Sequence, residues 1–144
     1  MQDAAQSVGL NLLIVKAGDE RELDASFEMN GQQKFDALLV GADPFFNNRR
    51  EQLLTLLARH GKPAIFAQRE FVLAGGLASY GTSLSDAYRQ AGVYAGRILR
   101  GEKPSNLPVV QPVKFETAIN LKTAKALGLD VSPAFVARAD EVVE

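Results

Sequence analysis

Phe35-Asp-Ala-Leu-Leu-Val-Gly-Ala-Asp-Pro-Phe-Phe46 is the stretch that decides the fold. Ala37 to Val40 is a short unbroken apolar run, the pattern of a parallel strand covered on both faces, and Asp43 with Pro44 ends it abruptly. In an open α/β sheet, ligands bind just beyond the carboxyl ends of the strands. Asp43, Pro44, Phe45 and Phe46 are therefore expected at a binding edge.

Working outward, strand and helix signals alternate, with a capping residue or a glycine at most boundaries, which is the pattern of an α/β layered domain. Upstream, residues 2–8 read as the last turns of a helix closed by Gly9, and residues 10–15 as a strand. Because the chain opens inside an element, a longer parent is expected. Asp19 and Glu22 form a capping pair for a helix carrying Leu23 and Phe27 on one face, which Gly31 weakens or ends. Downstream, Asn48 with Glu51 caps a helix whose apolar stripe includes Leu53, Leu54 and Leu57 and which stops at His60-Gly61. Pro63 to Ala67 then gives the next strand.

Gln68-Arg-Glu-Phe71 follows that strand as Asp43-Pro-Phe-Phe46 follows its own, so the two loops are expected on one rim. Gly75-Gly76 introduces a short strand over 77–81 that brings Tyr80 to the same rim, and the glycines flanking it are read as hinge positions. Ser83 with Asp86 caps a helix running to Arg100. Its apolar or small positions Leu84, Ala87, Tyr88, Ala91, Ala95 and Ile98 recur at helical spacing, while Gly92 and Gly96 admit a close neighbour. Residues 103–108 are a polar linker, residues 109–120 extended chain interrupted by Pro112, and residues 121–127 a helix capped by Asn120 and stopped by Gly128.

Composition narrows the function classes. With 144 residues, 47% of them apolar, the chain can bury one ordinary core. Sixteen basic against seventeen acidic residues give a net charge of -1 with no long like-charge run, which argues against nucleic acid. Without cysteine there is no disulfide framework or thiol nucleophile. No apolar run reaches the roughly 18 residues of a membrane span. The first residues lack the charged and apolar regions of a signal peptide.

Enzyme chemistry has little to stand on. His60, the sole histidine, sits at a helix C-terminus where it complements the dipole, and no second ligand stands at metal spacing. There is no Gly-x-Ser-x-Gly elbow, P-loop or dinucleotide fingerprint. The expectation is no catalytic residue, no metal and no cofactor. The candidate ligand-binding residues are Asp43, Pro44, Phe45, Phe46, Arg69, Glu70, Phe71 and Tyr80. Asp43 can accept from a ligand ammonium or simply cap the helix after it. Arg69 can fork onto a carboxylate or form a solvated pair with Glu70. The rings can line a cleft or pack in the core.

On Asp36 to Asn47, Arg69-Glu-Phe71, Gly75-Gly-Leu-Ala-Ser-Tyr-Gly81, Tyr88 to Arg100, Gly101-Glu-Lys-Pro104, Leu107-Pro108 and Ile119 to Leu129, the chain resembles the carboxyl-terminal part of a type I periplasmic binding protein. The family is that of ABC-transporter substrate-binding proteins, which includes tryptophan and tyrosine importer components. The resemblance implies a three-layer, flavodoxin-like parallel sheet of three or four strands, truncated, with residues 1–81 as the second, ligand-binding lobe lacking its first strand. Residues 82–144 would hold the returning helix, the crossing strands and the C-terminal helix and tail. It implies a small amino-acid-like or aromatic ligand, ABC permease partners and a periplasmic site of action, although no signal peptide is visible in this chain. A half-clamp implies weak binding and a homodimer in which chains shield one another's orphan faces. Alternatives are a ligand-sensing regulatory domain of the same fold and a stable remnant without binding activity.

Overall fold

The structure, a computed structural model, describes residues 2–28 and 35–144. The chain divides into two compact units, residues 1–35 and 36–144. In the first, α1 spans Gln2–Ser7 and is followed by Gly9 at φ 75°. Helix α2, Glu20–Glu28, buries Leu23 and Phe27. The expected capping pair forms: the Glu22 N–H donates to Asp19 Oδ1 at 2.8 Å, and Glu22 Oε2 accepts from the Gly18 N–H at 2.7 Å. The expected role of Gly31 in ending this helix lies outside the described residues.

The strand expected over residues 10–15 is not one. That segment runs as irregular chain with Leu10, Leu13, Ile14 and Val15 exposed. A strand exists where a neighbour takes its N–H and C=O groups, and among the described residues none pairs with this segment.

The second unit holds a five-stranded, mostly parallel sheet flanked by helices, in the order β1 Leu38–Val40, β2 Ala64–Phe66, β3 Ala78–Thr82, β4 Phe115–Asn120 and β5 Glu141–Val143. The pairs β1–β2, β2–β3 and β4–β5 are parallel. Strand β4 runs antiparallel to β3, with Tyr80 opposite Thr117 and Thr82 opposite Phe115. Between these strands lie α3 Pro44–Asn48, α4 Arg50–Arg59, α5 Arg69–Leu73 and α6 Leu84–Leu99; α7 Leu121–Ala126 and α8 Pro133–Val136 follow β4.

Cross-strand partners share a face, so Val40, Phe66, Ser79, Ala118 and Asn120 point one way, and all five are buried. Helix α5 closes that side: its Phe71 stacks on Phe66 with centroids 4.4 Å apart, and Asn120 Nδ2 donates to the Val72 carbonyl. Leu53 and Leu57 of α4 are buried as their spacing predicts. On the opposite face Leu39, Ile65, Tyr80 and Phe115 are exposed, so the run around β1, at the sheet's edge, is not covered on both sides.

Two details of helix ends and glycines differ from expectation. Helix α4 starts after Arg49 without a side-chain cap, because Asn48 is the last residue of the short α3. Gly81 serves close approach rather than torsion, since a Cβ there would lie 1.9 Å from the Ala67 carbonyl oxygen. Gly75, at φ 108°, is the glycine of the pair that needs its conformational freedom.

Candidate functional site

Because β1, β2 and β3 run parallel in register, the loops that follow β1 and β2 and the end of β3 lie along one edge of the sheet. The antiparallel β4 starts at that same edge, opposite Thr82. Asp43, Pro44, Phe45 and Phe46 occupy the first loop. Asp43 is exposed and caps α3, its Oδ1 accepting the Phe45 N–H at 2.7 Å, with Pro44 in the first turn where no N–H is needed. Phe45 and Phe46 are both half-buried and meet edge to face, with centroids 5.4 Å apart. One ring does not sink into the core while the other faces out; each divides itself between packing and solvent.

The second loop is built differently. The Arg69 guanidinium stands among three carboxylates, with Glu141 at 3.4 Å, Glu116 at 3.7 Å and Glu70 at 3.9 Å. These are loose contacts on a side chain that remains partly exposed. Phe71 is 3% exposed and carries the Arg50 guanidinium 5.3 Å from its ring centroid. It is a core ring beneath the edge and does not present a face to it.

Tyr80 does present one. It is 62% exposed and stacks on Phe115, which is 49% exposed, at 5.7 Å and 16°. Beside this edge an open recess of about 320 Å³ is lined by Arg69, Glu116, Thr117, Ala118, Asp140 and Glu141. Asp140 fixes its wall, accepting the Thr117 N–H on Oδ2 while its own N–H donates to the Thr117 carbonyl, both at 2.8 Å.

The edge thus carries two groups on opposite faces of the sheet: Arg69 and Glu70 with Glu116 and Glu141 on the side that α5 covers, and Tyr80 with Phe115 on the open side. Asp43, Phe45 and Phe46 share the edge but line neither this recess nor a smaller one over Ala67, Gly81 and Thr82. Sequence reasoning missed Phe115, Glu116, Asp140 and Glu141. Their signal was weak, since Phe115-Glu-Thr117 alternates like any strand start and Asp140-Glu141 reads as a polar tail. Chemically, the open face offers aromatic surfaces suited to stacking, and the α5 side offers a guanidinium among carboxylates suited to charge-assisted hydrogen bonds.

Comparison with known proteins gives a consistent picture. The family model described as ABC transporter substrate binding protein matches residues 1–143. Among curated proteins no sequence matches. Among solved structures, the chain is similar to an ABC domain in complex with L-Trp from Streptococcus pneumoniae, with a TM-score of 0.87 at 24% identity. That match covers 99% of this chain and 49% of the other. A conserved domain protein from Vibrio cholerae gives 0.84 at 22% identity, covering 98% and 47%. The ligand-free, open structure of a substrate-binding protein with adhesive properties from Clostridium difficile gives 0.66 at 22%, covering 99% and 47%. These likenesses establish the fold, and the chain spans about half the length of the structures it matches.

Proposed function

Since the chain belongs to the ABC transporter substrate-binding protein family, we propose that it is a solute-binding part of an ABC-type importer that takes a small amino-acid-like or aromatic ligand at the carboxyl edge of its sheet. The exposed Tyr80–Phe115 stack at the carboxyl end of β3 carries this reading, because an open aromatic pair is a surface suited to a flat or apolar partner. The Streptococcus structure was solved with L-Trp, and an aromatic amino acid suits the groups present here.

In this reading the ligand ring lies against Tyr80 and Phe115, flanked by Phe45 and Phe46. Asp43, with Oδ1 engaged in the cap, offers its second oxygen to the ligand ammonium. Arg69, whose Nε and Nη1 stand 3.4–3.9 Å from its own carboxylates, turns part of its fork to the ligand carboxylate. Glu70 stays beside it, Pro44 sets the loop, and Phe71 supports α5 from beneath. Residues 1–81 act as the ligand-binding lobe and residues 82–144 as the returning segment. The family is one of binding proteins, not of enzymes, and we place the chain at work outside the cytoplasmic membrane beside a permease, as a homodimer.

Isothermal titration against a panel of amino acids and small aromatic acids tests this. The expected result is binding of an aromatic member with a Kd between about 10 μM and 1 mM, a weak range on the affinity scale, and at least tenfold loss in Tyr80→Ala. Absence of binding across the panel overturns it.

A further inference from the structure

Two arginines stand beside the loops of this edge, on the side of the sheet that α5 covers, and their electrostatic settings are opposite. Arg69 opens α5 and already has three carboxylates at 3.4–3.9 Å. Arg50 opens α4, directly after the loop and the short helix that follow β1. Its guanidinium lies over the Phe71 ring, 5.3 Å from the centroid, and Phe71 in turn stacks on Phe66. The side chain is thus rooted behind the first loop and rests on a ring of the second.

What Arg50 lacks is an anion. Among the described residues it makes no ion pair and no side-chain hydrogen bond, and its Nε is closed off from solvent without an acceptor. Arg97, likewise partly buried, shows the usual arrangement, with both prongs of its fork on Glu102. A shielded donor without a partner is destabilising, and such a group calls for a functional explanation. The position adds to this, because a cation at a helix N-terminus reinforces the positive end of the dipole in place of offsetting it. Glu51, the acid of that first turn, is exposed and makes no ion pair with Arg50. The Phe71 face attracts the guanidinium and fixes it, but supplies no oxygen. Positive charge is therefore held at one place on the edge with no carboxylate to balance it, on a side chain that stays partly exposed.

We propose that Arg50 is the residue that holds the ligand's carboxylate, with Arg69 in a lesser share. A carboxylate arriving at Arg69 meets Glu70, Glu116 and Glu141, which repel it and compete for the same donors. At Arg50 it meets no rival, and packing on Phe71 has already set the guanidinium, so less freedom is lost on binding. A specificity follows: the site favours acids, and a ligand whose carboxylate is capped as an amide loses a charge-assisted hydrogen bond. The inference rests on the reading of this edge as a ligand site and deepens it by naming the group that reads the anion. Contact is made at the tip of the side chain, so the backbone amides of α4 stay in place while the Arg50 Nε–H signal moves.

Calorimetric titration of L-phenylalanine, L-tyrosine and L-tryptophan, each beside its primary amide, tests it. The wild-type chain is expected to prefer acid over amide by at least about tenfold, the scale of a hydrogen bond to a charged group. Arg50→Gln, which keeps most of the stem and removes the charge, is expected to weaken the acid by about that factor and to change the amide less than about twofold, so that the preference disappears. Arg50→Lys is expected to recover part of it, as a point charge in place of a fork. Arg69→Gln is expected to weaken the acid less than Arg50→Gln does. A merely structural role would move acid and amide together. That result, equal affinities in the wild-type chain, or a larger loss from Arg69→Gln than from Arg50→Gln overturns the inference and leaves the binding reading standing. A wild-type chain that binds none of these compounds overturns the inference together with the aromatic reading of the site.

Discussion

The loops after β1 and β2 occupy equivalent places in the fold, one strand apart on the same sheet edge, yet they are in opposite physical states. The first keeps Asp43 exposed and both phenylalanines half-buried, with the Asp43 side chain capping the short α3. The second is locked: Ala67 leans on Gly81 closely enough to exclude any side chain, Phe71 is stacked in the core, and Arg69 is surrounded by carboxylates. The difference teaches that position at the binding edge does not decide a residue's task. Packing around each side chain divides the edge into a part that holds the sheet together and a part left to meet a ligand.

The sharpest way to break the comparison is at Gly81. With backbone 1.9 Å from a built Cβ, Gly81→Ala forces the second loop off β3, and we expect a loss of at least about 4 kcal/mol or failure to fold, read by urea unfolding. Next comes the contrast of rings. Phe71→Ala is expected to cost about 3–5 kcal/mol, whereas Phe45→Ala costs less than half of that because its ring is partly solvated already. Equal losses would erase the distinction between the loops.

Smaller effects sharpen it. Asp43→Ala removes the α3 cap and is expected to lower stability by about 1 kcal/mol, with Asn at the same position restoring most of it. Arg69→Ala leaves Glu70, Glu116 and Glu141 facing one another, and the expected cost of up to about 1 kcal/mol shrinks as salt is raised, since these partly exposed charges are screened. A cost independent of salt would mean that Arg69 acts through packing.

Much of this organisation was legible in the residues. The unbroken run around Leu38, the apolar segment around Ala64 and the glycine-flanked segment around Ala78 marked three strands, and Ser83, Asn120 and the Asp19–Glu22 pair marked helix starts, because a cap is a local interaction that sequence records directly. The extended chain of β4 was legible too, but its antiparallel pairing, the three-residue β5 and the failure of residues 10–15 to form a strand were not, because pairing depends on which neighbour is available. The same limit applied to the site. Asp43 and Tyr80 stood out by position, but Phe115, Glu116 and Glu141 reach the edge through strand register, and Phe71 leaves it through a stacking contact that no local pattern announces.

The most direct test of the account is amide chemical-shift mapping of the chain titrated with the tightest aromatic member of the panel. The account predicts perturbations concentrated at residues 43–46, 69–70, 80–82 and 115–117, with α4 and α7 unmoved. Perturbations confined to α6, or spread over surfaces away from the sheet's carboxyl edge, would contradict it.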